Sequence, residues 1–324
     1  MKNVLVSGGA GFIGFALASE LSLSSDTRVF LVDNFVRGDR DDKLRELLAK
    51  RNVELVELDL ADLGRTDGLP DLEMSSVYHF AALNGTQNFY ERPYETLRYS
   101  TLPTFALVDK YVRSGKTGRF VYAGSSESYA STVSLFDWPV PTSETVPLSI
   151  EDPLNPRWSY SISKTHGEVL TAQACRESEV DFTIIRYHNV YGPRMGDKHV
   201  IPDFVERLVR GEYSLFGHEE TRTFLYIDDA VAATLSVATS EACRNQIINV
   251  GGEVEVSIRR LGELMLAAAG REAELELHPA PKGCVSRRAP DVTKLKRLTG
   301  FRPKVSLEEG LVPTVRYYMN AAGA

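Results

Sequence analysis

Read for apolar and polar positions, the chain opens on a short apolar run, Val4-Leu5-Val6, which breaks into Gly8, Gly11 and Gly14. An apolar pattern at helical spacing follows through Phe15, Leu17, Ala18 and Leu21. A strand, a glycine turn and a helix in direct succession are predicted. The same rhythm continues. Val29-Phe30-Leu31-Val32 reads as a second strand ending at Asp33, and residues 39–50 as a polar helix with Leu44, Leu47 and Leu48 inward. Residues 53–58 alternate as a third strand running into Asp59-Leu60, and residues 77–82 form a fourth that closes on Ala81 and Ala82. Residues 94–113 are helical in pattern, and a fifth strand at 119–123 stops at Gly124-Ser125-Ser126. A proline-rich stretch at 131–157 has no period and reads as an ordered loop. It is followed by a helix at 158–177 carrying Tyr160 and Lys164, and by a sixth strand at 183–187.

Beyond residue 187 the rhythm weakens. A helix at 201–210, a short strand at 213–215, a segment at 224–227 leading into a helix at 228–239, and a strand at 246–250 are predicted. Three helical pieces close the chain: one capped by Ser257 and ended by Gly270, one capped by Asp291 and ended by Gly300, and one behind a Ser306/Glu309 capping box. Pro313 inside the last predicts a kink or a late start. Strands alternating with helices imply an α/β fold with a doubly wound parallel (Rossmann) sheet. That domain takes residues 1–187 plus 226–250, and a smaller C-terminal α/β lobe takes 188–225 plus 251–324. Ligands of such sheets sit beyond the carboxyl ends of the strands, where Gly8, Asp33, Asp59, Ala81 and Ser125 gather.

The strand–glycine turn–helix order is the layout that cradles a dinucleotide pyrophosphate on a helix N-terminus. Asp33, nineteen residues past Gly14, stands where a carboxylate accepts hydrogen bonds from the adenosine ribose. It would repel a 2′-phosphate, so NAD is expected over NADP, although Arg37 lies close by. Composition narrows the picture further. The 324 residues carry 37 basic and 44 acidic side chains, a net charge of −7, with no basic cluster, so nucleic acid is not an expected partner. Cys175, Cys243 and Cys284 are scattered, which suggests neither a disulfide framework nor a metal site. No apolar run approaches a membrane span and no leader precedes the first strand, so a cytoplasmic protein off the membrane is expected.

Tyr160 and Lys164, four apart on a helix, share one face. A lysine ammonium and a positively charged nicotinamide would both favour the phenolate, giving a base that takes a proton from a sugar hydroxyl. Alone, the spacing reads as a surface aromatic and a solvated charge; behind a dinucleotide fold it reads as chemistry.

Together these residues resemble the extended short-chain dehydrogenase/reductase family, in its nucleotide-sugar epimerase/dehydratase group. The likeness rests on GGAGFIG at 8–14, the aspartate of LVDN at 33, HFAA at 79–82, GSSESYA at 124–130, YSISK at 160–164, HNVYGP at 188–193, TRTFLYIDD at 221–229 and RAPD at 288–291. The resemblance implies NAD bound by Gly8, Gly11, Phe12, Ile13, Gly14, Asp33, Asn34, Asp59, Leu60, Ala81, Ala82, Tyr160 and Lys164. Ser125 stands where the family has its catalytic Ser or Thr. A nucleotide-diphosphate sugar is implied as substrate, with Asn189, Arg222 and Arg288 on its phosphates, Ser126 nearby, and the lobe from Val200 to Phe216 reading the base. A 4-keto sugar is the family's shared intermediate. Carbon-4 epimerisation is the favoured outcome; 4,6-dehydration or uronate decarboxylation, using Glu127, is the alternative, and a non-catalytic dinucleotide-binding protein the rival of another class. Glu127 could equally serve a turn, and His79 and His188 read as satisfied core histidines. Ser100, Pro103 and Ala130 depart from the family's usual asparagine, glycine and glycine. A homodimer is expected through the helical stretches at 94–113 and 158–177.

Overall fold

The computed structural model describes residues 1–197, 199–280 and 285–323; Cys284 lies outside them. Seven strands form one parallel sheet. In chain order the first six are β1 (Lys2–Ser7), β2 (Thr27–Asp33), β3 (Val53–Glu57), β4 (Ser76–His79), β5 (Arg119–Ser125) and β6 (Asp181–Tyr187), with Gln246–Val250 at the edge beyond β6. Across the sheet the order is Gln246–Val250, β6, β5, β4, β1, β2, β3. The winding direction reverses between β1 and β4, and the carboxyl ends of those two strands open a crevice.

The inner strands β1, β2 and β5 are apolar on both sides because both faces are covered, whereas the edge strand β3 alternates. Val4 and Val6 of β1 join Val29 and Leu31 of β2, Val121 of β5 and Ile185 of β6 in one core. Leu5, Phe30, Val32, Phe120 and Ile184, one position out of phase, build the other. The first core is roofed by the helices Phe12–Leu21 and Ile227–Thr239, the second by Pro93–Leu107 and Ser159–Glu177. A third core, with Phe204, Leu215, Leu261, Met265 and Leu311 fully buried, belongs to the C-terminal segments. There the helices Val200–Val209, Ile258–Ala268 and Leu307–Ala321 pack together. Short strands brace this part: Thr221–Thr223 lies between Glu255–Ser257 and Arg287–Arg288, and Ser214–Phe216 pairs in parallel with Glu276–His278.

Local differences from the sequence expectations have physical reasons. β4 stops at His79, where Phe80–Ala82 leave the ladder to line the crevice. The helix at Pro93 runs to Leu107 and then widens into a π-type turn, Val108–Val112. The stretch at 131–157 is not all loop: Ala130–Leu135 is a helical turn and a half, and Pro156–Trp158 is a 3₁₀ turn whose entry Asn155 caps. The short helix near the end starts at Thr293, whose N–H donates to the Asp291 carboxylate. Pro313 sits inside a helix continuous from Leu307 to Ala321, behind the anticipated Ser306/Glu309 capping box. Cys175 and Cys243 are buried and unbridged.

Candidate active site

A cleft of about 600 Å³ opens over the carboxyl ends of the strands, between the sheet and the C-terminal segments. Its floor is the glycine turn. Gly8 adopts φ +69°, and a Cβ there would meet the Ala81 backbone nitrogen at 2.8 Å. A Cβ on Gly14 would overlap the Gly8 carbonyl oxygen, so only glycine lets the helix Phe12–Leu21 start this close to β1. Gly11 is its N-cap with no side-chain cap, which leaves the first N–H groups and the positive helix end facing the cleft.

The end of β2 adds a carboxylate. Asp33 is buried; Oδ2 accepts from Ala10 N–H at 2.9 Å and Oδ1 from Phe35 N–H at 2.8 Å. Burial raises its pKa, while those backbone donors oppose the rise. A carboxylate has about four acceptor positions, so capacity remains for ribose hydroxyls. Asp59 fixes its own loop, accepting from Asn34 Nδ2 at 3.1 Å and from Ala61 N–H at 3.0 Å. A side-chain-free anion cradle beside a ribose-facing carboxylate fits a dinucleotide without a 2′-phosphate.

At the centre of the cleft, β5 ends in Ser125 and the helix Ser159–Glu177 presents Tyr160 and Lys164. The Tyr160 hydroxyl hydrogen-bonds the Ser125 side chain, and its ring stacks on Phe89 at 4.9 Å and 11°. Lys164 is buried; its Nζ donates to the Ala123 carbonyl at 2.8 Å and lies 5.6 Å from the Tyr160 ring centroid. Burial pulls the Lys164 pKa down to about 8, against the pull of Glu168. The Tyr160 phenol stands well above its ordinary value, through burial first and the Glu127 charge second, with Arg37 and the Ser125 hydrogen bond opposing. The phenol of the chain alone is therefore protonated. A positively charged nicotinamide, when NAD is bound, would favour the phenolate and so help to lower it.

Glu127 follows Ser125 by two residues, and its N–H donates to Ser125 Oγ at 3.2 Å. Two guanidinium groups converge on its carboxylate: Arg288 Nη1 donates to Oε1 at 2.7 Å, and Arg157 Nη2 stands 2.7 Å from Oε2. Burial alone would raise this acid, but the two cations overcome that and hold it at about 2. The turn carrying these residues is anchored from beneath, where Ser128 Oγ donates to Glu168 Oε1 at 3.2 Å. Glu168 is itself paired with the buried Arg186 at 2.8 Å.

The outer end of the cleft belongs to the C-terminal segments. Arg222 and Arg288 are register partners on adjacent parallel strands. Arg222 Nη2 donates to Glu220 Oε2 at 2.9 Å, and Asn189 Nδ2 donates to the Thr223 carbonyl at 2.9 Å. Phe216 is half exposed and stacks on His278 at 4.9 Å and 21°.

Every site residue named from the sequence lines this one cleft: Gly8, Gly11, Phe12, Ile13, Gly14, Asp33, Asn34, Asp59, Leu60, Ala81 and Ala82; Ser125, Ser126, Glu127, Tyr160 and Lys164; and Asn189, Val200, Phe216, Arg222 and Arg288. His79 and His188 do not line it. His79 is held by Ser7 Oγ and Thr104 Oγ1, and His188 Nε2 by the Tyr129 hydroxyl at 2.6 Å. Arg157, Phe89, Glu220 and Arg194 line the cleft and escaped sequence reading. Arg157, three residues before Tyr160 in PRWSY, carried the one available signal: a charged residue ahead of a catalytic-type tyrosine.

A doubly wound sheet with a glycine cradle, a ribose-facing aspartate and a Ser–Tyr–Lys centre defines a dinucleotide-dependent enzyme fold. The chain belongs to the NAD dependent epimerase/dehydratase family, which it matches over residues 4–251. Its cofactor is NAD. It is 31% identical to a UDP-N-acetyl-alpha-D-glucosaminuronate decarboxylase of Bacillus cytotoxicus, covering 98% of both chains. It is 30% identical to a UDP-glucose 4-epimerase of Mycolicibacterium smegmatis, covering 98% of this chain and 99% of that one. The structure superposes on a UDP-glucose 4-epimerase of Thermotoga maritima with a TM-score of 0.84 and 31% identity, covering 98% and 99% of the two chains.

Proposed function

We propose that this chain decarboxylates a UDP-activated uronate, and that the Glu127–Arg157–Arg288 cluster carries that choice. NAD, when bound, supplies reversible oxidation of a sugar carbinol. The Ser125 hydroxyl and the Tyr160 phenol hold the oxygen of that carbinol, and Tyr160 is placed to take its proton. Lys164 fixes the end of the helix against β5 and leaves its positive charge beside the tyrosine.

The fate of the 4-keto sugar depends on the groups around its carbons 5 and 6. Dehydration across those carbons needs a base for the carbon-5 proton. A carboxylate held at about 2 by two guanidinium groups is a poor one. A 4-keto uronate needs no base. Its carboxylate is β to the ketone, so the C5–C6 bond breaks, carbon dioxide leaves, and the electron pair moves onto the carbonyl oxygen facing Ser125 and Tyr160. A proton returned to carbon 5 gives a 4-ketopentose, and return of the hydride to its carbon 4 would give the pentose and restore NAD. Arg157 and Arg288 outnumber Glu127 by one charge, and a substrate carboxylate restores neutrality, which a neutral hydroxymethyl group does not. The relatives fit this reading, since a UDP-glucuronic acid decarboxylase of Xenopus tropicalis is 29% identical over 98% of this chain.

A second reading, carbon-4 epimerisation, has its own support: Ser125, Tyr160 and Lys164 suffice for it, and the 4-epimerases above are as similar as the decarboxylases. The deciding experiment incubates the NAD-loaded protein in deuterated water with UDP-glucuronate, UDP-N-acetylglucosaminuronate, UDP-glucose and UDP-N-acetylglucosamine. A product that has lost carbon dioxide and gained deuterium at carbon 5 is expected from a uronate. A product of unchanged mass with an inverted carbon-4 coupling pattern would establish the epimerase instead. Tyr160→Phe should keep its NAD and lose on the order of 10²–10⁴-fold in turnover.

A further inference from the structure

Arg288 faces two ways. It donates to Glu127 Oε1 at 2.7 Å, and it lines the outer cleft beside Arg222. A long side chain with two neighbours to serve needs a fixed backbone, yet its strand, Arg287–Arg288, has only two residues. Thr221–Thr223 holds that strand on one side. Past Arg288 the chain leaves it and pairs with a different part of the molecule. Thr142 N–H donates to the Ala289 carbonyl at 2.9 Å, and Asp291 N–H donates to the Thr142 carbonyl at 2.9 Å, a parallel bridge centred on Pro290.

Asn249 closes that bridge from behind. It is fully buried near the carboxyl end of Gln246–Val250, the edge strand of the main sheet, and it does not line the cleft. Its Nδ2 donates to the Thr142 carbonyl at 3.0 Å and to the Asp291 carbonyl at 3.2 Å. Its N–H donates to Glu144 Oε1 at 2.9 Å, and Arg186 Nη1 donates to the Glu144 carbonyl at 3.2 Å. Pro290 is confined as well, since a Cβ on Gly251 would lie 2.8 Å from both His188 Cβ and Pro290 Cγ. A buried amide costs free energy unless its hydrogens are bonded, and here each of the two Nδ2 hydrogens has a carbonyl from a different segment. The amide therefore staples the chain just past Arg288 to the sheet whose strand β5 ends at Ser125. Arg288, which comes from the C-terminal segments, is thus placed by the same sheet that places Glu127.

We propose that Asn249 is a positioning residue for Arg288: it sets the guanidinium where it can hold Glu127 and still meet the diphosphate of a nucleotide sugar. The inference rests on the nucleotide-sugar reading of the cleft and is independent of the reaction at carbon 4.

A double-mutant cycle on binding tests it without turnover. UDP, ADP, CDP and GDP are titrated by calorimetry into the NAD-loaded full chain, and the tightest serves as probe. Arg288→Met should weaken the probe by about tenfold or more, and Asn249→Ala by about fivefold or more. The two together should match Arg288→Met alone to within about twofold, because Asn249 acts through Arg288. Asn249→Ser, which keeps one donor, should fall between Asn249→Ala and wild type, and it carries the same cycle if Asn249→Ala does not fold. NAD content and melting temperature establish the fold of each variant. Folded Asn249 variants with wild-type affinity for the probe would overturn the proposal and leave Asn249 as scaffold. Losses that multiply with that of Arg288→Met would overturn it too, by placing the effect elsewhere. Arg288→Met binding as tightly as wild type would remove Arg288 from the diphosphate, and failure of all four diphosphates to bind wild type would overturn the nucleotide-sugar reading; either takes this inference with it.

Discussion

At the residue scale, Glu127 shows how a neighbourhood decides what a carboxylate can do. From sequence it could be a base or a turn residue. Two arginines, the buried Arg157 of Pro156–Trp158 and the part-buried Arg288 of Arg287–Arg288, convert it into a fixed negative charge. Its pKa is about 2 against an ordinary 4.5. A depressed carboxyl contributes stability that is fully present above its unfolded value and lost as pH falls toward its folded one. Wild type should therefore lead Glu127→Gln in unfolding free energy by a constant margin above about pH 5.5, and that margin should shrink between roughly pH 4.5 and 2. Urea melts at stepped pH would measure it. A margin that instead changed between pH 6 and 8 would mean that Glu127 titrates near neutrality and is available as a base. Lys164, with its pKa pulled to about 8 by burial, has the opposite sign. The unfolded lysine binds more protons between that value and its ordinary 10.5, so its penalty on folding is present below about 8 and disappears as pH rises through that window.

At the element scale, the turn that follows β5 leans on a buried ion pair that does not line the cleft. Ser125 to Ser128 leave β5 in a 3₁₀ turn, and the Glu168–Arg186 pair, both side chains almost wholly buried, supports it through Ser128. Arg186 also donates to the Glu144 carbonyl at 3.2 Å, tying in the segment before the helix Ser159–Glu177. Arg186→Met leaves Glu168 buried without its cation, which costs about 3–5 kcal/mol. Replacing both, as Glu168→Leu with Arg186→Met, should recover much of that loss, because the uncompensated charge is gone. Thermal melts of the single and double variants test this; a double variant as unstable as the single would mean that shape rather than charge holds the turn. This pair also marks the boundary of what sequence reveals. The sheet, the glycine cradle and the Tyr160–Lys164 face were legible because each is a local pattern: apolar runs, a glycine spacing, four residues on one helix. Arg157 meeting Glu127, and Arg186 meeting Glu168, pair residues 30 and 18 positions apart through tertiary packing, and neither charge announces its partner. Arg288 shows the same limit, since the resemblance assigned it to phosphates and its guanidinium also reaches Glu127 across 161 positions.

At the scale of the whole molecule, one surface gathers exposed apolar side chains. The helices Pro93–Leu107 and Ser159–Glu177 pack against each other over the second core. Their outward sides leave Tyr94 at 75%, Leu97 at 37%, Ile162 at 39% and Val169 at 54% exposure. Single exposed apolar side chains are ordinary, but four on two neighbouring helices mark an interaction face. We propose that a second copy of this chain covers it across a two-fold axis, helix pair against helix pair. An isologous contact needs only one self-complementary patch, and a stable dimer would bury roughly 1,200–2,000 Å² in total. The same two helices carry Tyr160, Lys164 and the cleft-lining Tyr99 and Pro103, so the contact would stiffen the wall of the active site. Sedimentation at micromolar concentration should give a dimer for wild type and a monomer for Leu97→Glu with Val169→Glu. These substitutions lie on the exposed side, so the monomer should keep its fold and bind NAD, with a lower melting temperature that no longer depends on protein concentration. Wild type sedimenting as a monomer would leave this face to another partner, and a double variant still dimeric would move the interface elsewhere on the molecule.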